Sequence, residues 1–114
     1  MNIKFKIWFE QNGSVAFSEG RKMLLEAVDQ AGSLNAAAKE LGMSYRAAWG
    51  KIKATEKVLG KKLLNVATGG KGGGGATLTP EAKELISKYK QFNDKMASLM
   101  EKEFKHIFGK KKPV

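Results

Sequence analysis

GSLNAAAKELGMSYRAAW, residues 32–49, is the stretch that decides the fold. Gly32 ends one helical pattern, and Ser33 stands where the next helix begins, its hydroxyl able to accept from a free backbone N–H. The helix behind it carries Leu34, Ala37, Ala38 and Leu41 on one side. Gly42 and Met43 form a tight turn, and Ser44 caps a further helix that runs to about Leu59, where Gly60 stops it. Ala37 and Ala38 are small enough to let the two helices approach closely, and Gly42 permits the turn between them. Just upstream, Arg21 to Ala31 places Met23, Leu24, Ala27, Val28 and Ala31 at helical spacing, which predicts a first helix there.

Outward from this segment the periodicity changes. Ile3, Phe5, Ile7 and Phe9 alternate with Lys4, Lys6 and Trp8, Asn12-Gly13 is a strong hairpin turn signal, and Val15 and Phe17 alternate again. A β-hairpin is expected over residues 3–18, followed by helices over 20–60. Lys62 to Thr68 and Ala76 to Thr79 read as two strands joined by a glycine-rich loop, a wing over residues 62–79. Thr79-Pro80-Glu81 then opens a helix, with threonine as cap, proline at the first position and an acid in the first turn. This last helix is expected over 80–108, and residues 110–114 form a basic tail. The reading is a single domain over 1–109. Its class is α+β, mostly α: a winged helix-turn-helix with an N-terminal β-hairpin and a long C-terminal dimerisation helix.

The helix that begins after Ser44 is two-faced. On a wheel of about 100° per residue, Ala48, Ile52, Thr55 and Leu59 gather on the core side, and Arg46, Gly50, Lys53 and Lys57 fall opposite. Tyr45 and Trp49 flank the boundary. Tyr45 lies near the helix start and is the better placed to reach a ligand, whereas Trp49 can equally pack at the core edge. From Ser44 to Lys71 there are seven basic residues and one acid, Glu56. A solvated, lysine-rich surface accounts for such a face as well as a binding role does, until the turn and the wing beside it are considered.

Composition narrows the partner. The chain has 114 residues, with 21 lysines and arginines against 11 acids and a formal net charge of +10, which favours an anionic partner. Nucleic acid is the first candidate and an anionic membrane surface the second. There is no cysteine, so disulfides and thiolate metal sites are excluded and a cytoplasmic setting is expected. No apolar run is long enough to span a membrane. The single histidine, His106, has no neighbouring ligands for a metal, and no catalytic constellation recurs, so neither an enzyme nor a cofactor is expected. The spacing Gly70-x-Gly72-x-x-Gly75 matches a dinucleotide fingerprint, but no βαβ pattern surrounds it.

Two segments carry a family resemblance. GSLNAAAKELGMSYRAAW, together with ATGGKGGGGATLTPEA at residues 67–82, resembles the N-terminal DNA-binding domain of the ModE family of molybdate-responsive regulators, itself similar to LysR-type winged helices. The resemblance covers about residues 20 to 90. It implies sequence-specific binding of double-stranded DNA for transcriptional regulation. The helix that starts at Ser44 would enter the major groove with Ser44, Tyr45, Arg46, Trp49, Gly50, Lys53 and Lys57, and the loop with Gly70, Lys71 and Gly72 would be the wing. Full-length members carry a C-terminal domain that binds molybdate or tungstate, and this chain stops about where that domain begins. The expectation is therefore a stand-alone DNA-binding regulator without the molybdate domain.

The last helix points to self-association. Leu85, Tyr89, Phe92, Met96 and Leu99 follow 4,3,4,3 spacing along a helix of about 43 Å. One small domain has too little surface to bury that stripe, so a homodimer is expected, with no membrane partner. Two other readings stand beside this one: a non-specific architectural or nucleoid DNA-binding protein, and a protein-interaction or membrane-surface module built on the same fold.

Overall fold

The structure is a computed structural model and describes residues 1–67 and 74–109. Its elements run β1 (Phe9–Gln11), β2 (Ser14–Phe17), α1 (Glu19–Ala31), α2 (Leu34–Glu40), α3 (Tyr45–Leu59), β3 (Leu64–Val66), β4 (Ala76–Leu78) and α4 (Pro80–Phe108). The class is α+β, mostly α: a helical body with two antiparallel two-stranded hairpins, β1–β2 and β3–β4.

Local chemistry sets each boundary. Ser18, Ser33, Ser44 and Thr79 cap the four helices in turn, each oxygen accepting from the backbone N–H three residues on. Gly32 and Gly60 end α1 and α3 in the left-handed conformation, where an added Cβ would be strained. Between α2 and α3, Met43 N–H donates to the Ala38 carbonyl at 2.9 Å and closes the turn over Gly42.

The core lies where α1, α2, α3, β2 and the β3–β4 ribbon meet. Leu24, Leu25 and Val28 of α1 pack with Ala37 and Ala38 of α2 and with Ala48 and Ile52 of α3, all buried. Met23, one of the residues whose helical spacing predicted α1, is 48% exposed, and Leu25 is fully buried. Leu63, Leu64, Ala76 and Leu78 seal the ribbon against this core, and Ala76 N–H donates to the Gly32 carbonyl at 2.9 Å.

The N-terminal hairpin is shorter than expected. Asn12 and Gly13 form the turn with positive φ of 52° and 80°, as a two-residue hairpin requires, but pairing ends at Phe9↔Phe17 after a bulge. Residues 1–8 keep the expected alternation without a ladder: Ile3, Phe5 and Ile7 are half-buried, and Lys4, Lys6 and Trp8 are exposed. The reason lies on the other strand. Ser18 turns the chain into α1 at Glu19, two residues earlier than expected, so no backbone remains to pair with residues 3–8.

What holds this arm and the hairpin is α4. Tyr89 makes edge-to-face contacts with Phe9 (5.4 Å) and Phe17 (5.1 Å), and its hydroxyl donates to the Ile7 carbonyl. Phe92 adds a contact with Phe9 at 5.8 Å. Tyr89, expected on the seam between two copies, is thus only 2% exposed and belongs to the protomer's own core. Leu85 likewise packs against that core. The spacing of the stripe is right, but its first two turns are consumed within the chain. Beyond Phe92, α4 leaves the body and gives the molecule its 72 Å length.

Replacing Tyr89 with Phe removes one hydrogen bond and leaves the ring contacts, and is expected to cost about 0.5–1.5 kcal/mol. Tyr89→Ala is expected to cost about 3–5 kcal/mol, because a large cavity opens beneath the hairpin. Urea denaturation of the two variants checks both values, and equal losses would show that the ring packing contributes nothing.

Candidate nucleic-acid interface

The outward face of α3 is built from the inside. Ala48, Ile52 and Thr55 point inward at 0%, 1% and 1% exposure, so Arg46, Gly50, Lys53 and Lys57 face solvent on the opposite side. Rotation about the helix axis is fixed from α1. The Arg21 guanidinium donates to the Lys51 carbonyl at 2.9 Å and to the Thr55 hydroxyl. Burial pushes the Arg21 pKa down from its ordinary value, yet an arginine stays charged across all accessible pH.

One flank of the outward face is a continuous chain of contacts. Tyr45 and Trp49 stack with centroids 6.4 Å apart and planes 12° from parallel. Lys53 Nζ lies 4.5 Å from the centre of the Trp49 ring, so the indole sits between Tyr45 and Lys53. Both rings face outward, Tyr45 50% and Trp49 36% exposed; the core-edge place open to Trp49 is not the one it takes. Lys53 also pairs with Glu56 at 3.1 Å. The other carboxylate oxygen of Glu56, Oε2, accepts from the Leu63 and Leu64 N–H groups at 2.7 and 3.3 Å.

Glu56, the single acid of the basic run, therefore ties α3 to the first strand of the ribbon. Burial raises its pKa, but the Leu63 amide, Lys53 and the Leu64 amide together outweigh burial and hold it below the usual carboxylate range. The sequence carried a faint signal: one acid among seven cations, placed a few residues before a buried Leu-Leu pair.

Among the expected contact residues, Ser44 is exposed and occupied as a cap, its Oγ accepting from Ala47 N–H at 3.1 Å. Arg46 and Lys57 are exposed, and of the three cations on this face Lys53 is the one paired with an acid among the described residues. Gly70, Lys71 and Gly72 lie outside the described residues, as does the basic tail 110–114. The ribbon that leads to them is described: Leu64, Asn65 and Val66 pair with Leu78, Thr77 and Ala76.

Gly50 has no internal explanation. It lies mid-helix, where glycine costs about 1 kcal/mol relative to alanine, and an added Cβ would meet nothing within 4 Å. A bare backbone in the centre of a basic face admits a close approach from outside.

The family described as bacterial regulatory helix-turn-helix protein, lysR family, matches residues 23–83. The chain belongs to that family. This lysR-family segment spans α1 through the start of α4, the part that builds the basic face and the ribbon. Similar proteins include the molybdenum-pterin-binding protein MopB of Rhodobacter capsulatus, 42% identical over 80 residues, and the DNA-binding transcriptional dual regulator ModE of Escherichia coli K12, 38% identical over 89. Those matches cover 70% and 77% of this chain and 30% and 32% of the relatives, so the chain spans about a third of their length. Its lysR-type fold is also that of a solved CbnR_DBD–DNA complex, with a TM-score of 0.56, 23% identity, and coverage of 74% of this chain and 91% of that one.

Glu56→Ala is expected to lower stability by about 1.5–3 kcal/mol, since it removes a charged acceptor from two strand amides. The same contact predicts a pH dependence. Because the folded pKa is depressed, its contribution is fully present above the unfolded value of about 4.3 and is lost as pH falls through the lower folded value. Urea denaturation of wild type and Glu56→Ala from pH 7 to pH 3 checks this: the gap between the two should close only at the acid end.

Proposed function

We propose that this chain is a sequence-specific double-stranded DNA-binding regulator of transcription, ModE-like, that acts as a homodimer. The observation that carries the reading is the outward face of α3, where Arg46, Lys53 and Lys57 surround an unexplained Gly50 on a helix capped by Ser44. A major groove admits an α-helix, and a helix without a side chain at its centre lies closer to the groove floor. Arg46 sits near the start of α3, where recognition helices reach base edges, and is assigned a base contact. Lys53 and Lys57 are assigned to phosphates, and Tyr45 and Trp49 to the groove wall beside them. The glycine loop with Gly70, Lys71 and Gly72 is assigned to the adjacent phosphates, on the strength of the ribbon that leads to it. The relatives named as regulators and as molybdenum-linked proteins support a role in gene control of that kind.

The net charge of +10 also favours the second reading, an architectural protein that coats DNA. The two differ in one number, the ratio of affinity for a selected duplex to that for a scrambled one. A regulator gives about 10³ or more, and a coating protein a ratio near one.

For the dimer, the support is the open part of α4. Phe92 and Leu99 are 46% and 47% exposed in line with half-buried Met96, a stripe without a cover on the described chain. Two copies joined there would present their α3 helices to half-sites related by a two-fold axis.

Gly50→Ala is expected to separate stability from binding. The variant should be about 0.5–1 kcal/mol more stable, as alanine is the better helix former, and should bind the selected duplex more weakly. Arg46→Ala should cost about 1–3 kcal/mol on that duplex and relax the preference at one base pair. Titrations on duplexes selected from a random pool check both, and unchanged affinity in both variants would remove α3 from the interface. The Phe92→Glu, Met96→Glu double variant should run as a monomer by light scattering, because pairing would bury unpartnered charges.

A further inference from the structure

We propose that the cleft between the tip of the N-terminal hairpin and the C-terminal half of α3 holds a phosphate group of the DNA backbone. The inference rests on the DNA-binding reading and adds to it a contact on a second side of α3. The cleft has a volume of about 660 Å³. The hairpin supplies Gln11, Asn12 and Ser14 to its lining, α1 supplies Arg21, and α3 supplies Lys57.

The charge in this cleft is of one sign. Among the described residues no acid lines it, and neither Arg21 nor Lys57 is paired with one. Both bonds that Arg21 makes to α3 leave from Nη1. Its Nε and Nη2 have no acceptor among the described residues, and since no buried side-chain nitrogen there lacks one, both stay open to solvent. The arginine that orients α3 therefore keeps donors in hand, in the planar fork that matches a phosphate.

The hairpin adds neutral donors. Gln11 and Ser14 stand opposite each other in the ladder, so their side chains leave the hairpin on one face. Amide and hydroxyl groups of this kind commonly donate to backbone phosphates of DNA. All four residues of the tip, Gln11 to Ser14, are exposed. The buried residues of the hairpin are Ala16 and Phe17, so the tip is not there to fill the core.

The place of the cleft in the fold selects the DNA backbone over a free anion. Residues 56 and 58 fall about 100° to either side of Lys57 on α3. On one side Glu56 holds the ribbon through the Leu63 and Leu64 amides, and on the other Val58 borders the cleft. Lys57 thus stands between two hairpins and belongs to the outward face and to the cleft at once. A major groove is about 12 Å wide, and an α-helix with its side chains is about 10–12 Å across. A helix that fills the groove has a phosphate strand along each flank. The ribbon is placed to meet one strand and the N-terminal hairpin the other. A pocket for a small molecule is lined mostly by apolar side chains, whereas most residues lining this cleft are polar.

Gln11 carries the test, because it is exposed and its replacement leaves Arg21 on α3. Gln11→Lys should tighten binding to selected and scrambled duplexes alike by about threefold or more, and should steepen the salt dependence by about one unit. Misfolding cannot mimic that gain. Gln11→Glu should weaken binding to both duplexes by a similar factor. The same two changes at Gln91, exposed on α4, report the effect of net charge alone and should be smaller. Equal effects at positions 11 and 91, or none at 11, with Arg46→Ala still weakening the selected duplex, would overturn the cleft contact and leave α3 in its role. A wild type that binds no duplex at low salt would overturn both. Calorimetry with inorganic phosphate at matched ionic strength separates the two sources of the anion, and no saturable heat is expected. A saturable isotherm that Gln11→Glu abolishes would give the cleft to a free anion and overturn the backbone contact.

Discussion

Arg21 reaches from α1 to the middle of α3 and donates to the Lys51 carbonyl and to the Thr55 hydroxyl, which is buried in an otherwise apolar stripe. A hydroxyl buried at that depth would be costly without a partner, and no buried side-chain polar atom lacks one among the described residues. The bond is directional where the surrounding alanine and leucine contacts are not. It fixes how far α3 is rotated, and every outward residue on that helix inherits its aim. A small rotation would bring Lys51 forward and turn Arg46 toward the ribbon. The core thus determines what the surface presents, through one cation from a neighbouring helix.

The second constraint runs along the surface. Tyr45, Trp49, Lys53 and Glu56 occupy one flank of α3 at helical spacing, and Glu56 ends the series on the amides of Leu63 and Leu64. Lys53 is therefore a held cation, with an acid and an aromatic face already around it. A positioned charge loses less conformational freedom when it meets a ligand, at the cost of having part of its field neutralised beforehand. Among the described residues, Arg46 and Lys57 have neither an acid nor an aromatic face beside them. The same helix carries cations of two kinds, preset and searching.

The helix-turn-helix was legible because local chemistry alone encodes it. Ser33, Gly42 and Ser44 each do one steric or hydrogen-bonding job, and caps and turns read the same in a sequence and in a structure. The core side of α3 followed from its wheel for the same reason. The hairpin was overextended because alternation at Ile3, Phe5 and Ile7 reports which side is covered, and helix α4 covers it as well as a strand pair would. Tyr89 was misplaced on the seam because periodicity gives a direction and not a partner. The stripe on α4 is one stripe in sequence but meets its own hairpin first and open space later. Glu56 was counted as a lone acid, and its role depends on strand amides brought near only by the fold. Lys71 and its glycines remain assigned from their pattern and their ribbon.

Thr79 joins two elements that are usually described apart. Its hydroxyl donates to the Lys62 carbonyl at 2.7 Å, its N–H donates to the Leu63 carbonyl at 3.0 Å, and the same hydroxyl oxygen accepts from Ala82 N–H at 3.1 Å to start α4. The ribbon and the long helix therefore share a pivot with no slack between them. A tilt of about 5° at Thr79 swings the far end of α4 by roughly 4 Å, because the helix is about 43 Å long. Whatever presses on the ribbon is amplified at the opposite end of the molecule, and whatever clamps that end stiffens the ribbon in return. A single threonine makes the chain a lever.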